Sequence, residues 1–408
     1  MKLYLFDDGQ ARRWVPFALT RPLGEMLHGC LLQRERAERV WGTACAGHLS
    51  APELRGFREA GAPEVVDPPD VAPSGGCVLL SSRAVGSVGT PVPTTTDSAT
   101  LAMAGEFVGW IVPEGEPLPG TAMLLEPEAA GAAVLELPGS VLPWPWDLVR
   151  RNPDRIASDV REGRASRLEL DPGVHLLGDH GVFGSPEARI EPGVIVDTRE
   201  GPIHVAEGVR VQGPARLVGP LHLGRDTQVL GGTVARTSAG PTCKLRGEVD
   251  GSVVLGFSNK AHDGYLGHAL VGRWVNLGAF TTNSDLKNNY APVRVPTDAT
   301  SRTDTGLLKV GCFLGDHVKT GIGTLLTTGS VVGAGSNLFG GRMPPAWVPP
   351  FSWGAGTELG EYRFDAFLAV ARAAMSRRGM ELDAESESLL GAAWRRTRSE
   401  RVGPDPTE

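Results

Sequence analysis

The sequence predicts an α/β front half, a left-handed parallel β-helix built from hexapeptide repeats, and a closing helical segment. Three observations lead there. Aliphatic residues recur every six positions through the middle of the chain. That middle, from about 166 to 356, holds almost no helical periodicity. Glycine (54) and proline (32) are abundant, which suits many short elements joined by tight turns.

Residues 1–165 read as α/β. Leu3–Phe6 and Val78–Leu80 look like strands. Glu25–Val40 looks like a helix, because Met26, Leu27, Cys30 and Leu31 fall at helical spacing. Residues 166–356 carry the repeat. Val205, Val211, Leu217, Leu223 and Val229 are six apart, and so are Leu314, Thr320, Leu326, Val332 and Leu338; Val271 and Leu277 add two more sites. Each hexapeptide supplies one short strand and one corner, and three make a triangular turn of about 18 residues. The aliphatic residue points into the prism and stacks on its equivalent one coil away. A β-sandwich also has even spacing, but its strands seldom hold strict phase over five sites. Residues 357–402 read as helices. Phe364, Phe367, Leu368, Ala371 and Met375 share a face, Gly379 makes a stop, and a second helix fits Ala384–Arg396. Residues 403–408 read as a disordered tail.

With 408 residues the chain has room for two or three domains. A net charge of −7 argues against a nucleic-acid or membrane-surface partner. No signal-peptide core and no long apolar run stands in the sequence, so a cytoplasmic protein is expected. Cysteines 30, 45, 77, 243 and 312 lack metal spacing and read as reduced structural thiols, so no metal ligands are assigned.

Lys260-Ala-His-Asp-Gly-Tyr-Leu-Gly267, followed by Val275-Asn-Leu-Gly-Ala279, resembles the bifunctional N-acetylglucosamine-1-phosphate uridyltransferase/glucosamine-1-phosphate N-acetyltransferase family. A divergent branch of that family, sugar nucleotidyltransferases carrying a left-handed β-helix, is the nearer match. Its marks here are Leu5-Phe-Asp-Asp8 with Thr20-Arg-Pro22, Pro145-Trp-Asp147, Asn283-Ser-Asp-Leu-Lys-Asn-Asn-Tyr290 and Pro349-Pro-Phe-Ser-Trp353. The likeness spans nearly the whole chain and is most specific in residues 244–353. It implies a nucleotidyltransferase-like front domain, a homotrimer, and acetyl-CoA as co-substrate in the groove between prisms. UTP and Mg2+ would serve the front half. The partners implied are small molecules: an amino sugar phosphate, acetyl-CoA and a nucleotide.

The resemblance places His262 as general base. A glucosamine ammonium must lose a proton before its nitrogen attacks a thioester, and imidazole titrates near neutrality. It also places Tyr265 on the sugar phosphate, Asn276 and Asn283 near substrate, and Lys287 on the phosphate, with Lys260 as a further cation. His268 and His317 read as structural or surface residues. In the front half the family's Gly-Thr-Arg phosphate turn is reduced to Leu5-Phe-Asp-Asp-Gly-Gln-Ala-Arg-Arg13. Gly9, Arg12 and Arg13 are its remaining nucleotide ligands. Asp7-Asp8 reads as a magnesium pair or as the cap of a strand-to-loop turn. No metal-holding aspartate stands near Leu79-Leu-Ser-Ser-Arg83, and the half is short for uridyl transfer. Three readings stay open: a bifunctional enzyme making UDP-N-acetylglucosamine, an acyltransferase with a ligand-binding front half, and a non-catalytic trimeric scaffold or sensor.

Overall fold

A computed structural model describes residues 1–93, 97–127, 133–163 and 166–401. The tail expected to be disordered, 403–408, lies outside these. Among the described residues no helix is long and apolar enough to cross a membrane.

The front half is a six-stranded mixed sheet, in the order Cys45–Leu49, Lys2–Phe6, Cys77–Ser81, Glu106–Val112, Ala99–Met103, Ala133–Leu137. The first three strands run parallel. Leu3–Phe6 is apolar at every position because both its faces are covered. Leu3 and Leu5 pack with the helix residue Ala37, while Tyr4 and Phe6 pack with Trp110.

The expected helix over 25–40 is a correction. The helix spans only Gln33–Trp41. Leu27–His28 and Leu31–Leu32 instead form a small antiparallel hairpin turning at Gly29, whose φ is +70°. Its tip is held from far along the chain. The Gly29 amide donates to Asn152 Oδ1 at 2.8 Å, and the Cys30 amide to Asp159 Oδ2 at 2.8 Å. Those tertiary bonds replace the local helical ones.

The β-helix has three faces of short parallel strands. Face one climbs from His175–Leu177 to Tyr265–Gly267, face two from Val182–Gly184 to Trp347–Val348, and face three from Arg189–Ile190 to Ser352–Ala355. The repeat residues point inward as their spacing predicts. Val205 sits on Leu223 and Leu314 on Val332, and the whole series is buried in one prism core. Leu270 pairs directly with Phe313, although Val271, Leu277 and Asn283 complete a coil between them; the excursion is the stretch after Asn283, which carries its own hairpin, Arg294–Pro296 with Arg302–Asp304.

Face two is apolar outside as well as inside, and the front half covers it. Val253, Leu255, Leu270, Phe313 and Val331 share a core with Trp14, Phe17, Trp146 and Val149. Trp146 lies near the start of the helix Pro145–Glu162. Thr20 and Arg21 complete the joint from the other side, both reaching Asp316 Oδ2, at 2.8 and 3.0 Å. The closing helices Phe364–Ser376 and Ala384–Arg396 pack onto Leu54 and Phe57 of the front half and onto Phe351 of the β-helix.

Candidate functional site

The front-half loop follows the strand Lys2–Phe6. Asp7 is buried and accepts hydrogen bonds from Ser50 Oγ, from Ser82 Oγ at 2.5 Å and from the Leu23 amide at 3.3 Å. Burial lifts its carboxyl above the ordinary value, against those hydrogen bonds. Asp8 accepts from the Ala11 amide at 2.7 Å, Ser81 Oγ at 3.2 Å and Arg83 Nη2 at 2.7 Å. Both carboxylates are spent on tying the turn together, and the magnesium reading of the pair does not fit them. The Gly9 amide donates to the Leu125 carbonyl at 2.7 Å, so it is not open to a phosphate. A Cβ at Gly9 would meet that same oxygen at 2.9 Å. Arg12 Nε donates to the Asp7 carbonyl at 3.2 Å. Arg13 alone of the three expected nucleotide ligands points to solvent without such a bond among those described.

On the β-helix, His262 is exposed at the corner between faces three and one. It lines a pocket of about 470 Å³ with Gln212 and Arg246 on the coils below and Ala279 and Phe280 on the coil above. The other expected site residues do not join it. Tyr265, on face one, donates its hydroxyl to Asp285 Oδ2 at 2.7 Å. Asn276, on face three, accepts from Asn259 Nδ2 at 3.1 Å and lines a different pocket, about 430 Å³, with Lys244, Lys319 and Arg378. Lys260 points into the prism, where its ammonium donates to the Arg246 carbonyl at 3.2 Å and to the His262 carbonyl. Burial pushes it down to about 8. Lys287 Nζ donates to the Pro292 carbonyl at 3.0 Å.

Asn283, expected near substrate, is turned to the backbone of the prism. Its amide is buried and clamps Gly267, accepting from that residue's N–H at 2.9 Å and donating to its carbonyl at 2.9 Å. Its Nδ2 also donates to the Ser284 carbonyl at 3.1 Å, so both amide hydrogens are engaged. Asn283→Ala would strip both partners. Unfolding in urea is expected to show a loss of about 1–3 kcal/mol, with the activity per folded molecule little changed.

Sequence reasoning passed over two clusters. One is His268, whose Nδ1 lies 2.7 Å from Asp285 Oδ2, the oxygen that also holds Tyr265. Burial raises the Asp285 carboxyl, but its hydrogen bonds to His268 and Tyr265 outweigh that and hold it below the ordinary range. This fixes the ring at the edge of a pocket of about 320 Å³ that Arg150, Arg236 and Lys309 also line. The sequence hint is thin: Asp285 stands inside a quoted motif, and His268 directly follows Gly267. The second cluster is Cys30, His204 and His222, in the wall of a cavity of about 870 Å³ between the front half, the β-helix and the closing helices. His204 and His222 are 18 residues apart, so the coil period alone stacks them. Nothing in the sequence brings Cys30 there.

Residues 3–167 match the family model of the sugar nucleotidyl transferases. The chain is similar to the bifunctional sugar-1-phosphate nucleotidylyltransferase/acetyltransferase of Sulfurisphaera tokodaii, 32% identical over 96 residues, or 24% of each chain. It is also similar to the bifunctional protein GlmU of Acaryochloris marina, 28% identical over 185 residues, 43% of this chain and 38% of that one. The chain thus spans about a quarter to two-fifths of the curated relatives it matches. Among solved structures, a mutant of AntD, an N-acyltransferase from Bacillus cereus in complex with dTDP and coenzyme A, is 14% identical. That match covers 51% of this chain and 91% of the other, with a TM-score of 0.20. The sequence matches are to transferases.

Proposed function

We propose that the β-helix transfers an acyl group from acetyl-CoA to the amine of an amino sugar phosphate such as glucosamine-1-phosphate, with His262 as general base. The amine proton passes to the imidazole, the nitrogen attacks the thioester carbonyl, and the carbon–sulfur bond breaks to release coenzyme A. Arg246, in the same pocket, suits the acceptor's phosphate.

One observation carries this reading. His262 stands at the foot of an exposed apolar column. The strand ends Leu277, Thr320 and Leu338 pair in register, and the corners that follow them carry an apolar residue at the third, second and first position. They present Phe280, Ile322 and Phe339, which are 61%, 73% and 38% exposed. A soluble protein leaves such a column bare only where something covers it. A second and third copy around this edge would enclose His262 in a groove able to take the pantetheine arm. Ile322→Asp is expected to turn a homotrimer into a monomer by light scattering, with the circular dichroism unchanged. A monomeric parent at micromolar concentration would remove the groove.

Uridyl transfer stands outside the proposal, because the Gly9 amide and both aspartates of the front loop are already engaged. The deciding assay supplies glucosamine-1-phosphate, acetyl-CoA and UTP, omits each in turn, and reads products by mass spectrometry. The expected product is the N-acetylated sugar phosphate, with UTP untouched. A UDP-sugar would restore the bifunctional reading. No transfer to any amino sugar phosphate would leave the scaffold reading. A second base is favoured by one observation, the carboxylate that orients His268; the same assay on His268→Ala separates the two imidazoles.

A further inference from the structure

Cys30, His204 and His222 come from distant parts of the chain. Cys30 sits in the front-half hairpin, whose backbone Asp159 and Asn152 hold in place. His204 and His222 occupy the same position on successive coils of face two. Their Nδ1 atoms lie 3.0 Å apart. The ligand atoms of all three residues lie within 4.8 Å of one another. Among the described residues this is the one such group of three metal-ligating side chains.

The bland alternative is a pair of neutral imidazoles sharing a proton beside a packed thiol. The chemistry of the donors argues for more. One sulfur and two imidazole nitrogens form the borderline-soft set that zinc prefers. The ligand atoms of a tetrahedral zinc, at about 2.0–2.3 Å from the metal, stand on the order of 3.3–3.8 Å apart, and those of this cluster all lie within 4.8 Å of one another. All three residues also line the 870 Å³ cavity. Three protein ligands facing an open space match zinc sites that keep one position for water or a ligand, whereas structural sites close with four.

We propose that Cys30 Sγ and one ring nitrogen each of His204 and His222 bind a zinc-class divalent cation whose fourth position opens into this cavity. The cation joins the front half to the β-helix and presents a bound water, or the anionic group of a ligand, to the space between them. On binding, the thiol gives its proton to solvent and the proton shared by the imidazoles moves off the liganding nitrogens, so affinity rises with pH.

The test uses the full chain, stripped with a chelator and titrated with Co2+ as a spectroscopic probe, then with Zn2+. The expected result is one equivalent per chain. Cobalt should show tetrahedral visible bands with a thiolate-to-metal band in the near ultraviolet, and zinc should displace it. Losing an outer-shell partner costs 10–100-fold in metal affinity, so losing a ligand, as in Cys30→Ser or His222→Gln, should cost at least about 100-fold. Those variants should also lose the thiolate or tetrahedral bands, while His175→Asn, at an exposed histidine elsewhere on the prism, should bind as the parent does. A parent without the thiolate band, or a Cys30→Ser chain that keeps the parent's zinc affinity, overturns the proposal. If the variants misfold, the parent still decides: Zn2+ must slow alkylation of Cys30 by iodoacetamide, read by peptide mass spectrometry. Unchanged alkylation overturns it equally.

Discussion

His262→Ala is expected to slow acetyl transfer to glucosamine-1-phosphate by about 10²–10⁴-fold, the usual cost of removing a positioned general base. The side chain is exposed and no hydrogen bond of its ring is among those described, so its loss should leave thermal stability and assembly nearly unchanged. His262→Asn should be almost as damaging, because an amide keeps a hydrogen bond and cannot accept the proton. The effect belongs in kcat, with little change in KM, if the base acts only as the amine reacts. The competing base predicts the reverse pattern. If His268 takes the proton, then His268→Ala and Asp285→Asn lose activity while His262→Ala does not, since Asp285 holds the His268 ring from 2.7 Å. Parent-like rates in all three variants would remove general-base catalysis from this part of the prism.

The prism was legible because its constraint is local and periodic. Most inward positions take one aliphatic side chain, so Val205, Val211 and Leu217 announce the coil without reference to anything distant. The helix Ala384–Arg396 forms over the expected residues, and the Asp383 side chain caps it by accepting from the Ser386 amide. The hairpin at 27–32 was not, because its geometry depends on Asn152 and Asp159, which meet it only after the chain has folded. The quoted motifs also turn out to serve different ends. Thr20-Arg-Pro22 and Pro145-Trp-Asp147 join the front half to the β-helix, through Asp316 and through Trp146 against Phe313. Phe351 of Pro349-Pro-Phe-Ser-Trp353 is wholly buried under the closing helices. A motif thus marks a site of constraint, and only the surroundings reveal whether the constraint is chemical or architectural. The same holds for the candidate site: Asn283 and Lys260 match a substrate-binding pattern yet spend their polar atoms on the backbone of the prism.

The largest stability effect should come from Asp159. It lies on the helix Pro145–Glu162 and grips Arg36 through both carboxylate oxygens, at 2.6 and 2.8 Å. Each side chain is almost fully buried. Asp159 also accepts from the Cys30 amide at 2.8 Å and from Arg155 Nε at 2.9 Å. Asp159→Ala leaves the Arg36 guanidinium buried beside one remaining strong partner, the His28 carbonyl. Urea unfolding is expected to show a loss of about 3–5 kcal/mol, the usual cost of orphaning one member of a buried pair. The double replacement Arg36→Met with Asp159→Leu should recover much of that, because it removes the stranded charge as well. Acid supplies an independent readout. Burial raises the Asp159 carboxyl, but the Arg36 hydrogen bonds and charge outweigh it and hold the carboxyl below its ordinary value. Its contribution is therefore fully present above the unfolded value of about 3.9 and fades as pH falls through the lower folded value. The parent should lose stability across that acid window more steeply than Asp159→Asn does. A loss under about 1 kcal/mol in Asp159→Ala would mean that the hairpin bearing Cys30 is held by packing and by the Asn152 bond, without Asp159. In that case the same substitution should leave zinc affinity at Cys30, His204 and His222 untouched, whereas a hairpin positioned by Asp159 loses its thiol from the cluster when the carboxylate goes.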